Sequence, residues 1–334
     1  MKKTILAMAV PALLAAGAAQ ASVNLYDADG VTVDLNGAAE IQYFKGYSTT
    51  EDAHLRIDDA DLILTTSIEV TDGLNAVAGM GFKYEDQFAT GVTVSNDNGT
   101  VKNDELYVGL GGNFGTVTFG RQLLISDDAG NQKDYELGFE QIDFVQNEGG
   151  QVIKWVYDNG TFYAGANVDL DTNKSDVTDG RQIIGGRIGA RYEGLDGRIY
   201  FYDGEDVAGE DIKGFNAELD WTINDQFDLA LSYGQLDYEL HTNNAVGDEV
   251  DVFGISAGYQ ASEKLVFAIG YDYLDSKGKG GNLDGDADSI YANATYMLHS
   301  NAKVYAEVGV ADGKEGNVDI NTDTGYVLGM EVKF

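Results

Sequence analysis

The stretch from residue 123 to 150 holds seven carboxylates, Asp127, Asp128, Asp134, Glu136, Glu140, Asp143 and Glu148, against one lysine, Lys133. Such a set could ligate a metal, shuttle protons or impose an electrostatic field on passing solutes. The first two uses find little support. The chain has no Cys, which removes thiolate sites and disulfides. His54, His241 and His299 fall in three separate loops or turns. His299 and Ser300 are adjacent but sit in a tight turn, away from any wall on which a nucleophile and base could meet. Asp284, Asp286 and Asp288 open with the spacing of a calcium loop. A glycine at the sixth position and a well-placed bidentate glutamate are missing, so a solvated acidic loop explains them better. The expectation is no catalytic residue, no cofactor and no metal site. The field remains.

Charge across the chain agrees with a field. Its formal net charge is −35. Phosphate binding needs clustered Lys and Arg, so nucleic acid is excluded as a partner. The acids serve either to solvate long surface loops or to line an acidic passage, and both can hold.

The elements that would carry such a passage are legible. Lys2 and Lys3 precede the apolar run Ile5 to Ala16, followed by Ala19-Gln20-Ala21. This pattern predicts a secretory signal peptide, 1–21, cut after Ala21, with 22–334 as one domain. The run is too short to span a membrane, and no later segment suits a transmembrane helix. Beyond it, apolar and polar residues alternate with period two almost throughout. Phe227, Leu229, Leu231 and Tyr233 share one face; Asp228, Ala230, Ser232 and Gly234 share the other. Phe215, Ala217, Leu219 and Trp221 likewise oppose Asn216, Glu218 and Asp220.

Sixteen such segments follow, from Val31–Phe44 through Ala60–Ile68 and Leu74–Glu85 to Thr324–Phe334. Short turns such as Asn159-Gly160 alternate with longer polar loops at 45–53, 86–103, 123–150, 170–182, 204–213, 239–248, 275–287 and 311–322. Acids recur on the face opposite the apolar one, where a packed soluble core would not tolerate them unpaired. A water-filled lumen does. The pattern predicts an all-β fold, a sixteen-stranded antiparallel transmembrane β-barrel with lipid outside and water within. The only Pro, Pro11, lies in the signal peptide, which suits unbroken ladders. Tyr192, Tyr259 and Tyr273 near strand ends fit an interfacial girdle.

The run Tyr107-Val108-Gly109-Leu110-Gly111-Gly112-Asn113-Phe114-Gly115-Thr116-Val117-Thr118-Phe119-Gly120-Arg121-Gln122, just before the longest loop, resembles the Gram-negative general-diffusion porins. The resemblance extends from the signal peptide to the terminal Phe334, with unrelated loops. It implies a homotrimer in the bacterial outer membrane, with one pore per barrel for small hydrophilic solutes and no enzymatic activity. It also implies that the third loop, 123–150, folds inward and narrows the passage. Family porins set the loop's carboxylates against wall arginines. Here the corresponding wall positions read Asp61, Asp104 and Gly150, with Glu105 the alternative to Asp104. Basic candidates facing the lumen are Lys83, Lys154, Arg187, Arg191 and Arg198. This balance predicts a cation-preferring constriction.

Arg121 shares parity with Val117 and Phe119 and points outward. The resemblance places it at the trimer contact, met by an acid from a neighbour's second loop, here Asp86, Asp97 or Asp104; contact with lipid headgroups is the other reading. The last strand, with Tyr326 and Phe334 on its apolar face, resembles the signal read by the outer-membrane assembly machinery. Lipopolysaccharide is a further expected partner, with divalent cations shared by the acidic loops. A substrate-selective channel and a structural or adhesive barrel stay open as alternatives. The first would show an aromatic ladder or charge track, and the second a plug.

Overall fold

The computed structural model describes residues 22–85, 100–139, 146–170 and 182–334. Its strands are β1 (Ser22–Ala28), β2 (Val31–Lys45), β3 (His54–Thr71), β4 (Leu74–Glu85), β5 (Thr100–Gly112), β6 (Gly115–Leu123), β7 (Glu148–Asp158), β8 (Phe162–Asp169) and β9 (Gln182–Tyr192). They continue as β10 (Leu195–Val207), β11 (Glu210–Thr222), β12 (Phe227–Leu240), β13 (Asn243–Ser262), β14 (Leu265–Lys279), β15 (Gly285–His299), β16 (Ala302–Glu315), β17 (Val318–Asp319) and β18 (Gly325–Lys333). Successive strands from β2 to β16 pair antiparallel, and β18 pairs with both β16 and β2. These sixteen close into a barrel, which removes open edges along the wall.

The two faces divide as the alternation predicts. On β14 the outward Ile269 is 56% exposed, whereas the inward Asp272 is fully buried. Glu218 on β11 and Glu307 on β16 are buried inside as well. Exposed aliphatics and buried carboxylates invert the order of a soluble protein. They suit a wall with lipid on its outer face. No described helix is long and apolar enough to cross a membrane.

Three features depart from the sequence reading. First, β1 forms a hairpin with the start of β2 through Asp29 and Gly30, both at positive φ. It shares an edge of β2 with the last strand: Ser22 lies opposite Asn36, and Phe334 exchanges backbone hydrogen bonds with Gly37 at 2.7 and 2.9 Å. Second, 204–213, 239–248 and most of 275–287 are not loops. β10 and β11 run on as a ribbon to a turn at Ala208 and Gly209, and β12 and β13 pair out to Leu240 and Asn243. A ladder, once begun, needs backbone groups and not apolar side chains, so strands outrun the apolar pattern that reveals them. Third, β17 adds a two-residue pairing to Lys314 and Glu315 inside the expected last loop.

Candidate functional site

The chain between β6 and β7 turns into the barrel and follows its inner wall. The Leu124 N–H donates to the Asn147 carbonyl at 2.7 Å, fixing the departure point. A turn of 3-10 helix, Ile125–Asp128, comes next, with the Ile125 N–H held by Asn167 of β8 at 2.8 Å. Asp128 meets Arg187 of β9 at 2.6 Å, and its carbonyl accepts the Tyr200 hydroxyl of β10 at 2.7 Å. The Gly130 N–H donates to Glu218 of β11 at 2.6 Å, and Gln132 to Ser232 of β12 at 3.2 Å. At the far end the N–H groups of Tyr135, Glu136 and Leu137 all donate to the Glu307 carboxylate of β16 at 2.7–2.8 Å. Tyr135 stacks on Tyr305, with ring centroids 3.5 Å apart. Glu136 then accepts from Gln42 of β2 at 2.8 Å and pairs with Arg56 of β3. The loop therefore lines the wall from β8 round to β3.

A second group lies on β3, β4 and β5. Asp61 accepts the Ala38 N–H at 2.6 Å, close enough to Asp104 for their charges to interact. Lys83 stands between Asp104 at 3.3 Å and Glu148 at 2.9 Å. A bulge in the β4–β5 pairing, between Met80 and Phe82, leaves Asp104 and Glu105 both buried.

Of the other basic candidates, Arg191 and Arg198 are held by acids. Arg191 meets Asp158 at 2.8 Å and Asp196 at 3.1 Å; Arg198 meets Glu218 at 2.5 Å and Asp220 at 2.6 Å. Lys154 donates to the Leu123 carbonyl at 2.7 Å. Arg56 was not among the residues expected from the sequence. Its guanidinium lies 3.9 Å over the Phe44 ring and pairs with Asp58 at 3.1 Å as well as with Glu136. Glu140, Asp143, Asp86 and Asp97 lie outside the described residues.

Two loop carboxylates have raised proton affinities. Desolvation, with the neighbouring charge of Asp128, pushes Asp127 up to about 7, although the side chain still meets lumenal water. Burial, with the charge of Glu307, pushes Asp134 up to about 6. Asp134 accepts the Gly138 N–H at 3.0 Å, which works against the shift.

On the outer wall Arg121 is exposed beside Leu106 and Phe119. At the seam Tyr326 pairs with Lys45, its ring centroid 6.2 Å from that of Tyr43. The three histidines lie far apart in the chain, on β3, in the β12–β13 turn and at the end of β15. Asp286 and Asp288 sit on an extended strand and do not wrap a loop, and no described group of three His, Cys, Asp or Glu residues is placed to hold a metal.

A closed sixteen-stranded wall with an inward loop is the architecture of an outer-membrane channel. The sequence profile of the Gram-negative porins matches residues 6–316. The chain is 44% identical over 348 residues to porin-like protein H of Photobacterium profundum, covering both chains fully. Its fold resembles the trimer form of OmpT, an outer membrane protein of Vibrio cholerae, at a TM-score of 0.73 and 18% identity over 92% of this chain and 100% of that one. It also resembles an anion-selective porin from Comamonas acidovorans at a TM-score of 0.70 and 16% identity, over 91% and 100%. The chain belongs to the Gram-negative porin family and is an outer-membrane β-barrel channel.

Proposed function

We propose that the chain forms a water-filled trimeric pore for passive diffusion of small hydrophilic solutes and ions, with a preference for cations. A barrel of similar fold is an anion-selective porin, so the fold does not set the sign; side chains must. The observation that carries the reading is a charge imbalance in the lumen. Arg56, Lys83, Arg187, Arg191 and Arg198 each lie in an ion pair. Among the described residues Asp61, Asp127 and Asp134 make no ion pair with Lys or Arg, although the charge of Lys154 acts on Asp127 and that of Lys333 on Asp61. In a confined passage such carboxylates are screened less than on an open surface, and acidic cross-sections favour cations. Asp61 and Asp104 on the wall, with Asp127, Asp128, Asp134 and Glu136 on the loop, are assigned to the narrow section.

Arg121 is assigned to the contact between protomers, because a guanidinium among apolar neighbours on the outer wall needs an acid or headgroup. The OmpT fold relative has a trimer form. Tyr326 and Phe334 are assigned to recognition by the assembly machinery, and the acidic outer loops to lipopolysaccharide through divalent cations. Proteoliposome swelling in neutral sugars tests the pore. Swelling that falls steadily with sugar size supports it, and impermeable vesicles would end it. Arg121→Ala should lower the temperature at which the trimer dissociates in detergent while leaving the barrel folded; an unchanged temperature removes this contact.

A further inference from the structure

The first loop, 45–53, sends Tyr47 back into the barrel, onto the far end of the inward loop. The Tyr47 hydroxyl donates to the Leu137 carbonyl. Glu307 accepts the Leu137 N–H, so both backbone groups of this residue are satisfied by side chains from elsewhere in the chain. The Leu137 side chain is fully buried, in a cluster with Tyr291, Tyr305 and Val327 that Tyr47 and Phe44 cover. Loop one is itself tied down: the Asp323 N–H donates to the Tyr47 carbonyl at 2.8 Å, and Ser48 bridges to Thr322.

The floor of this arrangement is a pair of glycines. Gly309 of β16 and Gly325 of β18 are direct cross-strand partners. Neither has a positive φ, so backbone conformation does not explain them. Close approach does. A Cβ on Gly325 would lie 2.7 Å from Leu137 Cδ2 and 3.2 Å from Tyr47 Cε1. A Cβ on Gly309 would lie 3.0 Å from Leu137 Cβ and would overlap the Tyr47 hydroxyl.

We propose that Gly309, Gly325 and Tyr47 form a socket for Leu137, and that seating of Leu137 in it sets the bore of the channel. The bore half rests on the pore reading above. Tyr47 is then a positioning residue: a side chain of the outer loop fixes how far the inward loop stands from the wall.

The chain has no Cys, so Leu137→Cys gives a single reporter. In the otherwise unaltered chain it should resist a water-soluble maleimide. Adding Gly309→Ala should make it react. Adding Tyr47→Phe to Gly309→Ala should restore part of the protection, because the nearest overlap is with the hydroxyl oxygen, while the lost hydrogen bond to the Leu137 carbonyl limits the rescue. This rescue is a non-additivity that general loosening would not give. In planar bilayers, with Leu137 intact, Gly309→Ala should raise the single-channel conductance and admit larger neutral polymers, and the double variant should fall back toward the unaltered channel. Equal maleimide reactivity with and without Gly309→Ala would overturn the socket. A rise in labelling with unchanged conductance and size limit would overturn its control of the bore. If the unaltered chain conducts nothing, the pore reading and the bore half fail together, while labelling still decides the socket.

Discussion

Along β11 and β16 the inward carboxylates Glu218 and Glu307 accept backbone N–H groups of the inward loop; on β3 and β5 Asp61 and Asp104 accept none from its described residues. Glu307 accepts three backbone N–H groups of the inward loop, and Glu218 accepts one while also pairing with Arg198. The described part of the loop reaches the group of Asp61 and Asp104 only through Glu148 on Lys83. One residue type thus serves two ends. Where the loop covers the wall, a carboxylate is a structural acceptor whose field is largely spent on fixed dipoles. Where no described part of the loop engages it, as at Asp61, its field is left for whatever passes. A count of acids in the lumen therefore overstates the acids that set selectivity.

Removing the covered acceptor should have the largest effect. Glu307→Ala leaves the N–H groups of Tyr135, Glu136 and Leu137 without their partner, at a cost of roughly 3 kcal/mol or more. The loop should leave the wall, and single-channel records should show higher, noisier conductance. A quiet record of unaltered size would mean that the loop is held by other contacts.

Charge reversal on the arc from β3 to β5 should come next. Asp61→Arg together with Asp104→Arg should move the reversal potential toward anions with little change in barrel stability. A shift from Glu218→Gln that matches or exceeds it would erase the distinction between the arcs.

Acidification should act more weakly, through the loop. Asp127 near 7 and Asp134 near 6 are both above ordinary carboxylates. The folded loop thus binds protons more tightly than an unfolded one, so its seating strengthens as pH falls and weakens as pH rises through these values. Their charge runs the other way, present above the folded values and lost below. Cation preference should decline between about pH 8 and 5, with Asp127→Asn flattening the upper part of the curve. A preference constant across that range would assign selectivity to the arc from β3 to β5 alone.

Much of the barrel was open to reading because its signal is local. The alternation of Phe227 to Gly234 or of Leu265 to Tyr273 needs only neighbouring residues to be seen. Arg56 was missed for an equally local reason. The β2–β3 pairing shifts between Glu40 and Ile41, so Glu40 faces Asp59 while Ile41 faces Ile57. Asp58 is the extra residue, and a bulge reverses the parity on its far side. A strict period-two count begun at Ala60 loses the lumenal face there and cannot place Arg56 opposite Glu136. The role of Glu307 was hidden differently. The loop N–H groups it accepts are about 170 residues earlier in the chain, and no local pattern records that pairing. The ribbons beyond the apolar band, such as Glu239 and Leu240 paired with Gly247 and Asn243, escaped because the reading stopped short of them.

The central claim is that unpaired carboxylates on the arc from β3 to β5 and on the loop give the channel its sign. The reversal potential of single channels under a KCl gradient at low salt tests it most directly. The Debye length there exceeds the value of about 10 Å at 0.1 M, so lumenal charges act across the passage. The account predicts a potential displaced toward the potassium equilibrium value, shrinking as salt rises on both sides. A potential at zero, or displaced toward chloride, would mean that Arg56, Lys83 and the arginines of β9 and β10 govern the narrow section, and would contradict it.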